Sequence, residues 1–325
     1  MSALARVAAW PPRMRTGVLL LALLALAAAF GPLLASDPAA IVDPRAASLL
    51  PPGARRVVLT RRDGSTVAAE KARRVGDAWV VTRRGAEEVI PAGDVSGFAT
   101  RRFWLGTDTV GRDVMARLLS GARVSLAIGA LALAVALAIG VGAGLASGWA
   151  GGIADAVLMR IVDALLAIPM LFLLLFLAAV FRPSLIALVA VLGLSSWMGV
   201  ARLVRGQVLS LREREFILAE RAIGASGWRI AFLHLLPNAV TPIAQDGALR
   251  LGDLILVEAS LSFLGLGVQP PTASWGNMVA EGQQVLANAW WLTFLPAALV
   301  ALTVIAAALV ADGLQELARR DTLPG

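Results

Sequence analysis

Cysteine is absent from the 325 residues, and lysine and histidine occur once each, as Lys71 and His234. Each scarcity closes a class of chemistry. Without thiols there are no disulfides, no thiolate-held metals and no cysteine nucleophile. A single imidazole rules out His-Glu-x-x-His and other multi-histidine metal sites. No Gly-x-x-x-x-Gly-Lys-Ser/Thr phosphate loop is present, and the sole lysine lies in the polar stretch 36–123, so neither ATP binding nor hydrolysis is expected of this chain. A Ser-Lys dyad is excluded with it, and Gly193-Leu194-Ser195-Ser196 and Gly206-Gln207 fit no nucleophile elbow. No catalytic residue, bound cofactor or metal is expected. His234, at the entry to an apolar run, reads as structural or interfacial.

Charge is scarce as well, at 16% of residues, whereas 58% are hydrophobic. Mean hydropathy is +0.77. Several apolar runs exceed the roughly 18 residues that cross a hydrocarbon core, so the fold class is an all-α polytopic membrane protein. The runs are Gly17–Leu34, Val124–Ser147, Ala156–Phe181, Ser184–Arg202, Leu235–Leu266 and Trp291–Ala311, which predicts six spans. The first is read as an uncleaved span, being longer than a usual signal core and lacking a cleavage site before Asp37. Arg6, Arg13 and Arg15 then hold the N-terminus in the cytoplasm, and Arg205, Arg212, Arg214, Arg221, Arg229, Arg319 and Arg320 agree. Trp290-Trp291 reads as an interfacial anchor. The net charge of +7 fits contact with anionic membrane lipid better than nucleic acid.

The predicted organisation is 1–35 for the cytoplasmic N-terminus and first span, 36–123 for an external loop, and 124–313 for a five-helix core. A cytoplasmic loop at 205–236 interrupts that core, and 314–325 is a cytoplasmic tail. Within the external loop, Val57–Thr60 and Thr66–Ala69 flank an Asp63-Gly64 turn, and Trp79–Thr82 and Glu87–Ile90 flank Arg83-Arg84-Gly85. These patterns predict a small β-rich external insertion over about 55–98. It either touches a solute receptor or is a tolerated extension, since added loop length costs little.

The cytoplasmic stretch Arg212–Asn238 reads as helix, tight turn, helix. Gly224 ends the first helix, Ser226 caps the second, and Pro237 marks the next break. It resembles the coupling loop of ABC-importer permeases, in which Glu-Ala-Ala, three residues and Gly are followed by nine residues and Ile-x-Leu-Pro. Here nine residues separate Gly224 from His234-Leu235-Leu236-Pro237, and Leu218-Ala219-Glu220 stands where the family has Glu-Ala-Ala. The carboxylate is displaced by two positions, roughly 200° around a helix. Gly106-Thr107-Asp108, Gly111-Arg112-Asp113, the run Ser262–Gly267, Pro270-Pro271, Trp275-Gly276 and Asp312-Gly313-Leu314 are similar to further segments of the peptide-type permeases. Over roughly 105–321 the chain resembles the second, C-type subunit of a dipeptide, oligopeptide or nickel importer.

That resemblance implies a type I ABC importer permease fold in the bacterial inner membrane. It implies a homologous second permease, two ATP-binding subunits that carry ATP and magnesium, and a periplasmic solute-binding protein. Contact with an ATPase subunit would fall on Glu215, Ala219, Glu220, Gly224, Ala225, Ser226, Leu236 and Pro237. Charges at bilayer depth cost about 2.5–3.5 kcal/mol each, so they should pair or face water. Arg160 and Asp163 are three apart and can meet on one helix face. Asp246, Arg250 and Asp253, with Glu258 beyond, form a ladder on the fifth span. Its candidate roles are the wall of a translocation path, structural pairing, or a proton relay. A carrier driven by ions or protons and working alone is the alternative function. A membrane-embedded enzyme is disfavoured by the missing nucleophiles and metal ligands.

Overall fold

The computed structural model describes residues 10–169 and 184–322, together with 172, 173, 176 and 180. Chain packing divides it into two units, one formed by 10–24, 126–261 and 300–322, the other by 25–125 and 262–299.

The first unit is helical. It holds the start of α1 (Pro12–Leu34), most of α2 (Val114–Ala150), α3 (Gly152–Leu166), α4 (Leu185–Leu211), α5 (Glu215–Ala222), α6 (Gly227–Ile230), nearly all of α7 (Leu236–Phe263), and the later part of α9 (Trp291–Thr322). Its organising contact is a comb of glycines. A Cβ on Gly140, Gly144 or Gly148 of α2 would strike Val200, Val204 or Val208 of α4 respectively. The four-residue spacing puts both rows on single faces, and small residues let the backbones close up where lipid supplies no hydrophobic drive. The three valines are fully buried. Partner numbers rise together along both helices, so α2 and α4 run parallel. A second close approach joins α1 to α9, where a Cβ on Gly17 would lie 2.6 Å from the carbonyl of Ala306 and 2.8 Å from the nitrogen of Val310.

Among the described residues four helices are long and apolar enough to cross a membrane: Pro12–Leu33, Val114–Ala150, Leu185–Leu211 and Trp291–Arg320. Six spans are expected from the sequence. The 28-residue α7 has the length, about 42 Å, but Asp246, Arg250, Asp253 and Glu258 break its apolar run. The expected span Ala156–Phe181 is covered by α3 to Leu166, and most of its second half lies outside the described residues.

The second unit contains β1 (Ala54–Arg61), β2 (Thr66–Ala69), β3 (Lys71–Val75), β4 (Ala78–Arg83), β5 (Ala86–Pro91) and β6 (Val95–Phe103). They form two antiparallel sheets ordered β2-β1-β6 and β3-β4-β5. Both expected hairpins are present, with Thr60 opposite Thr66 and Arg83 opposite Ala86. The second turns on Arg84 and Gly85, both at positive φ, as the twist of a two-residue hairpin requires. Leu59, Val67, Ala69, Val81 and Ile90 pack between the sheets, and Trp79 stacks on Phe98 at 5.1 Å. The end expected near residue 98 lies at Phe103, because β6 pairs with β1 as far as Ala54. Helix α8 (Trp275–Gln283) completes this unit; its N-cap Ser274 and Asn277 bond each other's backbones in a reciprocal capping box.

Candidate coupling and translocation site

The loop between α4 and α7 is built by local chemistry. Gly224 has φ +83°, a value open to glycine without steric cost. Its N–H donates to the carbonyl of Arg221 and the N–H of Ala225 to that of Glu220, both at 3.0 Å, which closes α5 in a Schellman motif. Ser226 then caps α6 by accepting from the N–H of Arg229 at 3.4 Å. The loop is not free-standing. Ile217, Ala225, Ile230 and Leu235 pack into the core formed by Leu145 of α2 and Val200, Val204 and Val208 of α4. Its other face is open and apolar: Leu218 is 51% exposed, Trp228 74% and Ile223 79%.

The sequence-predicted contact residues divide between these faces. Glu215, Ala219, Gly224, Ser226 and Pro237 are exposed, whereas Glu220, Ala225 and Leu236 are half-buried. Glu220 meets His234 at 3.5 Å, which ties α5 to the root of α7. Ile223 and Trp228 were not among the expected contact residues, nor was Leu218 beyond its place in the motif, and the apolar side chains of all three are open. Sequence reasoning missed Trp149 too: the indole nitrogen lies 2.9 Å from the position of a Cβ on Gly227, and the guanidinium of Arg221 sits 4.8 Å from the ring centre.

Pro237 does not break the chain, contrary to expectation. The helical backbone runs from Gly227 through a π-turn at Ala231–Leu235 into α7. Proline lacks the N–H that a regular helix would donate to the carbonyl four residues back. The wider π-turn absorbs that defect: the N–H of Leu236 reaches the carbonyl of Ala231, and the Asn238 side chain donates to the carbonyl of His234 at 2.6 Å. Helix α6 is therefore continuous, through the π-turn, with the charged helix α7.

Around the loop, Arg205 of α4 grips Asp155 of α3 with two bonds of 2.6 Å, and Ser147 of α2 donates to the same carboxylate. Arg212 donates to the carbonyl of Gly148 at 3.1 Å. The expected Arg160–Asp163 pairing is corrected: Asp163 pairs with Arg202 of α4, an inter-helix bond that i, i+3 spacing does not disclose.

Deeper in the helical unit, a cleft of about 530 Å³ is lined by Ser195, Ser196, Gly199, Arg250, Asp253 and Val257, among others. Its size suits a small molecule. Arg250 reaches into it past Gly199, bonds Asp246 one turn back, and donates to the carbonyl of Ser196 at 3.2 Å. Of the predicted ladder, Arg250 and Asp253 line the cleft. Asp246 holds Arg250, and Glu258 is fully buried in the helix packing.

In the second unit, two motif segments far apart in sequence meet. Asp108, 1% exposed, accepts from Arg112 and Arg117 at 2.6 Å each. Arg117 forks onto both oxygens of Glu281 at 2.5 and 2.9 Å. The indole of Trp275 donates to the carbonyl of Leu118 at 3.2 Å and that of Trp291 to the carbonyl of Thr107 at 3.3 Å. Burial pushes the Asp113 carboxyl above its ordinary range, against the backbone N–H groups of Ala116 and Met115 and the charge of Arg101.

Residues 115–323 match the model of the family described as binding-protein-dependent transport system inner membrane component, and the chain belongs to that family. It is 41% identical to the dipeptide transport system permease protein DppC of Bacillus subtilis (strain 168), over 66% of this chain and 67% of that one. It is 40% identical to the probable D,D-dipeptide transport system permease protein DdpC of Escherichia coli (strain K12), over 66% and 72%. The fold is shared with a chain of the inward-facing MetNI methionine ABC transporter, at TM-score 0.52 and 22% identity, over 64% of this chain and 98% of that one.

Proposed function

We propose that this chain is the C-type permease subunit of an ATP-driven importer of dipeptides, oligopeptides or similar small solutes. It crosses the bacterial inner membrane six times with both termini in the cytoplasm. It works with a homologous permease, two ATP-binding subunits and a periplasmic solute-binding protein. It binds no cofactor and no nucleic acid; ATP and magnesium belong to the ATPase subunits. The peptide relatives support the solute class, and the cleft lined by Arg250 and Asp253 supplies one group of each sign for the termini of a zwitterion.

The observation that carries this reading is the two-faced loop 215–230. One face is locked into the α2–α4 core, and the other presents Leu218, Ile223 and Trp228 outward. Closure of an ATPase pair pushes that open face. Because α6 continues through the π-turn into α7, the push has a continuous helical path toward the charged cleft. Solute must bind the outward and inward states with different affinity, or no net shift results. The test is a pull-down of the tagged chain from mild detergent, with Glu213–Leu233 intact or scrambled. Recovery of an ATPase and a second permease, with the ATPase lost on scrambling, is expected. A chain that purifies without an ATPase in both forms overturns the reading in favour of a carrier working alone.

A further inference from the structure

The inference concerns the end of the β-module nearest the helices, and it rests on the membrane placement above. Strands β1 and β6 pair so that Arg55 stands opposite Arg102 and Arg56 opposite Arg101. Directly opposed side chains have Cβ atoms about 5 Å apart, and like charges there destabilise a sheet. Successive residues point to opposite faces of a sheet, so Arg55 and Arg102, both exposed, set like charges together on one face, and Arg56 and Arg101, half-buried, lie on the other. Three nearby carboxylates are engaged elsewhere: Glu88 with Arg61 and Arg83, Glu87 with Arg73, and Asp43 with Arg83. Among the described residues, none of the four arginines forms an ion pair within 4.0 Å.

Position says what kind of anion would relieve them. Arg101 is close enough for its charge to act on Asp113, the residue just before Val114, where α2 begins. Arg102 lies over the ring of Trp104 at 3.9 Å, and Trp104 is 57% exposed. The bond from Trp291 to Thr107 ties the loop bearing Trp104 to the start of α9, where Trp290 and Phe294 are also open. Exposed tryptophans at the ends of two spanning helices mark headgroup depth. The Arg55–Arg102 pair therefore sits at a bilayer surface.

We propose that Arg55 and Arg102, with Trp104, form a binding surface for anionic phospholipid headgroups at the external face of the membrane. The guanidinium forks donate bidentately to phosphate oxygens, and the indole anchors the interfacial layer. The bound phosphates remove the like-charge penalty and fix the module against the membrane.

The test uses the full-length chain, with its partner subunits, in nanodiscs of phosphatidylcholine alone or mixed with phosphatidylglycerol. Lipid retained through detergent extraction is counted by mass spectrometry for the wild type, R55Q, R102Q, R55Q/R102Q and a control, R73Q/R74Q, at the module's other sheet. Phosphatidylglycerol should be enriched in the wild type and the control, and should fall about fivefold per arginine removed. Added salt should weaken the preference. Equal retention of the two lipids by the wild type, or an unchanged preference in R55Q/R102Q, overturns the proposal. So does loss of solute-binding-protein affinity in R55Q/R102Q without loss of lipid, which would assign the surface to an acidic protein. Recovery of the second permease and the ATPase in the same preparations reports on the importer reading separately.

Discussion

The indole of Trp149, at the end of α2, occupies the space that a side chain on Gly227 would need, while Arg221 covers its ring. One aromatic residue thus braces both short helices of the loop from the core side. Trp149→Ala should leave the subunit assembled, because Ile217 and Ile230 still pack against α4. It should lower uptake severalfold while ATP hydrolysis continues. Gly227→Leu, which pushes the loop outward instead, should give the same split. Hydrolysis and uptake measured together in proteoliposomes decide this; a parallel fall in both would make Trp149 merely structural.

Gly224 holds its turn through backbone conformation alone, since nothing lies within 4 Å of a Cβ built there. A left-handed residue other than glycine costs about 1–2 kcal/mol, more when β-branched. Gly224→Val should reach the membrane normally yet uncouple hydrolysis from uptake. Gly224→Asn, which tolerates this conformation better, should keep most uptake. Wild-type uptake by the valine variant would remove the turn from the mechanism.

The glycine comb makes a sharper structural prediction. A Cβ on Gly144 would lie 2.7 Å from that of Val204, with α4 backbone close by. Gly144→Leu must therefore separate α2 from α4, and overpacking of this kind costs about 1–3 kcal/mol. The expected result is a lower melting temperature in detergent and loss of ATPase in the pull-down, because the loop sits on this pair of helices. Gly142, on the same helix with nothing within 4 Å of a Cβ, is the control: Gly142→Leu should melt as the wild type does.

What could be read from sequence was what short-range chemistry decides. The Gly224 turn, the Ser226 cap and the hairpins at Gly64 and Gly85 each depend on neighbouring residues, and each is present. Strand β3, Lys-Ala-Arg-Arg-Val, went unread because its charges hide the alternation until β4 supplies a pairing partner. The glycine comb was legible only as composition, since its meaning lies in three valines on another helix. The Arg117–Glu281 fork joins residues 164 apart that lie outside the motifs read from sequence, and no local signal links them. Pro237 misled because a proline reads as a break unless the preceding turn is known to widen.

The charged helix gives the prediction that separates transport from structure. Arg250 and Asp246 are one turn apart and bonded, each about a quarter exposed, so the pair is partly desolvated. Removing one member of such a pair leaves an uncompensated charge, which costs up to 3–5 kcal/mol when burial is complete. Arg250→Leu and Asp246→Asn should therefore both reduce stability, the first also emptying one wall of the cleft. The exchange D246R/R250D restores pairing but moves the positive group one turn along the helix. If the pair only holds the helix together, the exchange rescues both folding and uptake. If Arg250 faces solute, as its place beside Asp253 and Gly199 argues, the exchange rescues melting temperature and assembly but not uptake. Asp253→Asn, at an exposed position, should keep full stability and lose uptake alone. A D246R/R250D importer with wild-type uptake would move the pathway off this helix.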